Sequence, residues 1–372
     1  MIKGETGNLR IFTLFVFLFL QTTEMVFSSP IQRDGYSGLY PGARSCGMGC
    51  TGIALVNEPV ASFYNPAGLC FLSGEYIIID FQNNRGATSE QDGFMDVFDY
   101  KFDFFSFASS GAGISFRPLS RVDRKLQELV FSEEYSETVS VESRLEYSAD
   151  EFCLSVTSVA SEMFETLENK PLFGINLKYI RASLGSAELV KLGSSPVDAS
   201  SNIDSGNGFG LDIGFAYSNN PVTTGIVLKD VFSKVFWSDY DSDRIAPRIG
   251  AGASLKFFKK WNVSTDLNYD TGDKKLGSSS GVEFSNLGEK ATKAEEKIVD
   301  LIKKKEGNRS RSLFSARLGM ALEDVEKRSE ILYSAGCGYS FNRFQLNVAV
   351  FGNNEQIRSK ELSSQVSILV VY

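Results

Sequence analysis

The chain reads as an all-β protein, a 14-stranded antiparallel transmembrane β-barrel, and three observations predict it. From Gly74 onward, large apolar residues alternate with small or polar ones. The segments run to about nine to eleven residues, the length a tilted strand needs to cross a bilayer. The N-terminus has the order of an export signal, and the chain stops inside a strand pattern, on Tyr372.

Lys3 and Arg10 precede an unbroken apolar run from Ile11 to Leu20, then a polar stretch and Val26-Phe27-Ser28. A membrane helix needs roughly 20 apolar residues, so this run is too short to span. Charge, apolar core and small-residue exit in that order make a cleavable secretory signal. Residues 1–28 are expected to be removed near Ser28 or Ser29. No Cys follows the run, which argues against a lipoprotein anchor, and no other segment is apolar enough for a membrane helix.

Period-two alternation is cleanest in Phe209-Gly210-Leu211-Asp212-Ile213-Gly214-Phe215-Ala216-Tyr217. Val263 to Tyr269, Phe314 to Met320, Tyr333 to Phe341 and Phe344 to Val350 repeat it. A soluble sandwich alternates in the same way, with its apolar face inward. A membrane barrel inverts the arrangement, apolar outward and polar toward the lumen. Strands are expected at 74–82, 101–117, 139–148, 151–160, 172–184, 208–217, 222–230, 247–257, 261–270, 278–285, 312–320, 331–340, 344–352 and 363–372. The even count puts both termini on the periplasmic side. Ser218 to Pro221, Phe258 to Lys260 and Asn342-Arg343 become short periplasmic turns. Gly185–Asn207, Ser233–Ala246 and Gly352–Leu362 become longer external loops. A charged helical stretch, Glu289 to Glu306 within 286–311, and the charged residues 119–138 fall on the periplasmic side. The first reads as a solvated helix or as a docking element for a periplasmic protein.

Composition narrows the function. With 372 residues the chain is long enough for one large barrel. Mean hydropathy near zero suits a barrel, in which only every second residue meets lipid. There are 30 Phe and 14 Tyr, an excess that interfacial girdles would use. A net charge of −8 argues against nucleic acid as a partner. There is no His, which excludes Ser-His-Asp triads and His-ligated metals. Cys46, Cys50, Cys70, Cys153 and Cys337 match no metal-ligand spacing. No phosphate-binding GxxxxGK[ST] loop occurs. No metal, no cofactor and no enzymatic activity are expected.

Gly42 to Leu69, GARSCGMGCTGIALVNEPVASFYNPAGL, is rich in small residues and closes on Asn65-Pro66-Ala67-Gly68-Leu69. Its glycines permit tight turns, Pro66 fixes the backbone ahead of the first strand, and Asn65 can bond nearby amides. The segment resembles the N-terminal plug of the long-chain fatty acid transporters of bacterial outer membranes (FadL type) and of their non-transporting relatives in type IX secretion. GLDIGFAYS followed by TTGIVLKDV, and PRIGAGASLKFF followed by NVSTDLNYD, look like middle strands of the same superfamily. The resemblance implies a plug at 29–72, with Asn65, Pro66 and Ala67 inside a barrel at 73–372, and fourteen strands as in the family. Cys46 and Cys50 stand where the family has Ala and Gly. With Cys70 nearby they permit one disulfide; the plainer reading is small side chains packed in a tight plug.

A fatty acid channel needs an apolar pocket and one or two cations for the carboxylate. The strand registers turn Lys178, Arg317 and Arg248 toward the lumen, and Arg44 sits in the plug. Each of these cations can instead pair with a lumenal acid such as Asp212 or Asp266. The leading expectation is passive uptake of long-chain fatty acids or similar hydrophobic molecules by a barrel embedded in outer-membrane lipid. The alternatives are an outer-membrane scaffold or shuttle for secreted proteins and a soluble secreted sandwich.

Overall fold

The computed structural model describes residues 40–55, 58–83, 96–97, 100–132, 137–159, 171–192, 195–258, 260–286, 313–325, 328–360 and 362–372. The expected signal peptide and the stretch from Glu289 to Glu306 lie outside them. Among the described residues fourteen long strands form one closed sheet. They are β1 Tyr76–Asn83, β2 Tyr100–Ala108, β3 Ala112–Ser132, β4 Glu137–Val159, β5 Leu172–Leu192, β6 Ser195–Asn219 and β7 Val222–Lys229. Then come β8 Arg248–Phe257, β9 Trp261–Asp270, β10 Lys275–Ser285, β11 Leu313–Val325, β12 Arg328–Phe341, β13 Phe344–Gly352 and β14 Ser363–Val371. Short strands Asp96–Val97, Lys234–Trp237 and Asp243–Arg244 are added at one end. Successive long strands pair antiparallel, and β14 returns to β1 with Tyr76 opposite Val371 and Asn83 opposite Ser364. Closure removes the free sheet edges along that seam.

The alternation in the sequence sets the two faces of this wall. In β6, Gly210, Asp212, Gly214 and Ala216 are buried inward, while Phe209 is 62% exposed on the outside. Phe152, Leu154, Leu177, Leu267, Leu318 and Met320 are likewise exposed and outward. An apolar outer face around a polar interior inverts a soluble barrel. Outward aromatics line up across neighbouring strands. Phe81, Phe102, Phe116, Phe152, Tyr179 and Phe209 form one row over β1 to β6, with centroid spacings from 4.7 to 6.4 Å. Phe173 and Phe215 pair nearer the chain termini, as do Phe257, Trp261 and Phe284. Phe173 and Tyr179 are six residues apart on β5, about 20 Å along the strand at ~3.3 Å per residue.

The strand count agrees with the sequence reading through two compensating differences. Residues 101–117 are two strands, because the chain turns at Ser109-Ser110-Gly111 between β2 and β3. Residues 139–148 and 151–160 belong to one strand, β4, which runs straight through Ala149 and Asp150. Ala149 is fully buried there, in a cluster with Leu119, Tyr147, Ile180, Val235 and Ile245. The side of 119–138 changes as a result. Residues 119–132 and 137–138 continue β3 and β4 to the end opposite Tyr372, not to the terminal end. Gly185–Asn207 is likewise the paired upper part of β5 and β6 rather than a loop. β3 to β6 hold 21, 23, 21 and 25 residues, against 8 to 14 in the other long strands, so they overhang the wall. Gly352–Leu362 carries the helix Asn354–Ser359, capped reciprocally by Asn353 and Gln356.

Candidate functional site

Residues 40–55 and 58–72 lie inside the wall as a plug. Its elements are α1 Ala43–Gly47, α2 Ala61–Tyr64 and a 3₁₀ turn Pro66–Phe71. None is long enough to be stable alone, so tertiary contacts hold them. The wall receives the plug on glycines. A Cβ on Gly319 would collide with the backbone of Met48 and Gly49, and one on Gly281 with Met48. On the other side, a Cβ on Gly214 would strike Asn65 Oδ1, and one on Gly174 would meet Pro66 and Ala67. The plug backbone thus sits directly against the strand backbones.

Polar wall residues then satisfy plug amides that helices this short leave open. Ala43 N–H donates to Ser367 Oγ at 2.7 Å, and Gly49 N–H to Ser334 Oγ at 2.9 Å. Gly52 and Ile53 both donate to Asp266 Oδ2, at 2.6 and 2.9 Å. Asn65 Nδ2 donates to Ile53 O and to Phe215 O on β6, and its Oδ1 accepts from Ala67 N–H at 3.2 Å. Pro66 opens the 3₁₀ turn, where its missing N–H costs nothing. Pro66, Ala67, Gly68 and Leu69 are all buried.

The four cations singled out in the sequence fall into two groups, and each carries an acid. Arg44 makes a two-point contact with Glu283 on β10, Nε to Oε1 at 3.0 Å and Nη2 to Oε2 at 2.7 Å, and lies 3.7 Å from Glu58. Arg317 on β11 reaches the same Glu283 Oε1 at 2.8 Å and also donates to Ser315 Oγ. Burial works against the Arg44 charge, but Glu283 and Glu58 outweigh it and raise its pKa. Burial pushes the Glu58 carboxyl up, against the pull of Arg44 and Arg317.

The second group lies around β3 to β8. Lys178 Nζ is 2.7 Å from Asp212 Oδ1, 2.8 Å from Asp230 Oδ1 and 3.6 Å from Glu151 Oε2. Arg248 Nη2 donates to Asp230 Oδ2 at 3.0 Å, and Arg117 Nε to Glu151 Oε1 at 2.9 Å. Of the two acids named in the sequence as alternative partners for these cations, Asp212 pairs with Lys178, while Asp266 holds plug backbone. Burial alone would raise the Asp230 carboxyl, but Lys178 and Arg248 outweigh it and hold it well below the usual range.

Sequence reasoning missed Glu283, Glu151, Asp230, Arg117 and Lys229. Glu283 and Glu151 were detectable, since both stand at inward positions of alternating strands. Lys229 differs from the other cations. Its Nζ lies 3.7 Å from the Phe63 ring centroid and 5.7 Å from that of Tyr64, and no carboxylate of a described residue pairs with it within 4.0 Å. The Arg117 guanidinium lies over the same Phe63 ring at 4.5 Å. A cation on an aromatic face is stabilised, though less than by a carboxylate. Phe63, Arg117, Lys178, Asp212 and Lys229 line a cavity of about 10 Å³, room for roughly one water.

Among the described residues, the shortest ladder between long strands lies beside that cavity. β2 and β3 are joined by four residue pairs only, Phe105–Phe116 to Ala108–Gly113. Beyond Phe116, among the described residues, β3 pairs with β4 alone and bulges at Pro118–Ser120. Pro118 has no N–H to offer a neighbouring strand, which is where a ladder ends.

A closed fourteen-stranded barrel with an apolar exterior and a lumenal N-terminal plug has the fold of the FadL-type outer-membrane transporters. The chain is similar to the crystal structure of a Pseudomonas aeruginosa FadL homologue, with 11% identity over 91% of this chain and 99% of that one, at a TM-score of 0.53. It is also similar to the Pseudomonas putida toluene transporter TodX, with 13% identity over 90% of this chain and 99% of that one, at a TM-score of 0.52. No protein-family model and no curated protein matches the sequence.

Proposed function

We propose that the protein is an outer-membrane barrel for passive uptake of hydrophobic molecules, with long-chain fatty acids as the leading cargo. The observation that carries this is the short β2–β3 ladder beside Phe63 and Lys229. An apolar chain leaving the lumen there passes between Phe102, Phe104 and the start of β3 into the surrounding lipid. Among the described residues no carboxylate lies within 4.0 Å of Lys229, so it is offered to an anionic head. Lys178, Arg317, Arg248 and Arg44 would each have to leave a carboxylate first. In this reading they hold the lumen and the plug, and residues 1–28 are removed on export.

The cargo is tested with purified protein in detergent. Saturable binding of a fluorescent fatty acid, displaced by unlabelled fatty acid, is expected. Displacement by toluene alone would move the cargo to monoaromatic hydrocarbons, the substrate named for TodX. No saturable binding of either would favour a scaffold or shuttle for secreted proteins, with 286–311 as a docking segment for a periplasmic partner. Heat-modifiable migration on a gel tests the barrel itself. Solubility without detergent would sink the membrane assignment.

A further inference from the structure

The plug contains a pair of thiols that the channel reading leaves unused. Cys46 lies in α1 and Cys50 just after it, with their sulfurs 3.7 Å apart and both buried. An S–S bond is about 2.05 Å long, so closing the gap takes less movement than one side-chain torsion supplies. The turn between them is already folded back. Cys50 N–H donates to Ser45 O at 2.9 Å, and Gly49 and Cys50 take left-handed φ of 74° and 64°. Cys50 adopts that conformation without being glycine, the residue that takes it most readily. The other three cysteines have no such arrangement: Cys70 is half-buried, Cys337 lies on the outer face of β12, and Cys153 lies 3.8 Å from Ser155 Oγ.

We propose that Cys46 and Cys50 are joined as a disulfide in the exported protein, closing the first turn of the plug. This rests on the reading of the chain as an exported outer-membrane barrel, because disulfides persist in that compartment. The two thiols give up two protons and two electrons to a disulfide-donating thiol oxidoreductase. One thiolate attacks the donor disulfide, the second resolves the mixed disulfide, and the donor leaves as a dithiol.

The bond forms before the plug is seated. Once seated, Cys46 is 1% and Cys50 6% exposed, and Ala349 and Tyr40 pack over them, so no protein oxidant reaches either sulfur. Burial also pushes the Cys46 thiol well above its usual value, which withholds the thiolate that exchange requires. Whatever state the pair carries into the barrel is therefore kept. A bridge there keeps residues 46–50 from extending when the plug moves.

The experiment uses full-length protein from native membranes, denatured in iodoacetamide with and without prior reduction, and mapped by mass spectrometry. Without reductant, Cys70, Cys153 and Cys337 are expected to be alkylated, and Cys46 and Cys50 to appear unalkylated on one peptide lacking two hydrogens. Alkylation of both, or a bridge from either to Cys70, overturns the proposal. Heat-modifiable migration of the same sample shows whether the barrel reading stands apart from that result. In a Cys46→Ser, Cys50→Ser variant that remains heat-modifiable, amides 46–52 should exchange with deuterium at least tenfold faster. Exchange at the wild-type rate would remove the constraining role.

Discussion

Asn65 of the plug and Gly214 of β6 occupy one space: the amide of Asn65 lies where a side chain on Gly214 would be. From there Asn65 Nδ2 reaches Phe215 O at 3.0 Å and ties the plug to the wall. Gly214→Ala forces Asn65 and Pro66 off the strand, and overpacking of this kind costs about 1–3 kcal/mol. Limited proteolysis between residues 58 and 72 should speed up while the barrel stays heat-modifiable. An unchanged cleavage rate would show that the plug is not seated on this glycine.

Glu283 serves two cations and Arg44 serves two acids, so their removal is not equivalent. Glu283→Gln leaves Arg44 and Arg317 sharing a neutral amide in a buried site. Arg44→Met leaves Glu283 still paired with Arg317 and strands only Glu58, whose raised pKa lets it take up a proton. Breaking a buried pair costs roughly 3–5 kcal/mol when a charge is left behind. Glu283→Gln should therefore cost more than Arg44→Met in denaturant titrations. The reverse order would count against this network.

Lys229 is the test of an anionic cargo. A hydrogen bond to a charged group contributes about 1.5–3 kcal/mol, so Lys229→Met should weaken fatty acid binding about ten- to hundredfold. Binding of a neutral aromatic should hardly change. Equal losses for both ligands would mean that Lys229 supports the site without touching the head group.

Acid should loosen the loop that follows β7. The Asp230 carboxyl is held low, so its stabilisation is present above the ordinary carboxylate value of about 3.9 and is lost as pH falls below it. Lys178, Arg248 and Asp212 face it and all feel the change. Trp237, bonded to Asp243 in the same loop, supplies the signal. Its fluorescence should shift as pH falls from about 4 toward about 2 in the wild type. Asp230→Asn should show the shifted signal already at pH 7, and a variant that titrates like wild type would overturn this assignment.

Most of the wall was legible because one face had to be apolar and the other polar. Where both conditions held, as in β6 below Gly208 or in β9, strand and orientation were both readable. Legibility failed where they lapsed. Residues 195–203 are exposed on both faces, so nothing selects alternation and the sequence looks like a loop. At 109–111 the turn residues are few and the flanks are apolar, so β2 and β3 ran together. The Asn65-Pro66-Ala67 motif was legible as a turn and, by resemblance, as plug. Its glycine seat was not, because Gly174 and Gly214 lie more than a hundred residues away. The cations were visible but their partners were not, since a buried pair depends on which strands become neighbours.

Ala43 donates to Ser367 and Tyr40 accepts from Gln365, bonds that join positions more than 320 apart in the chain. The earliest described turn is thus fixed by the strand that closes the sheet onto β1. Until β14 has met β1, the plug lacks two of its anchors and the ring lacks its final join. Contacts so remote in sequence form late. Sealing the ring and stopping it therefore finish together, and a half-built molecule is neither an open pore nor a shut one.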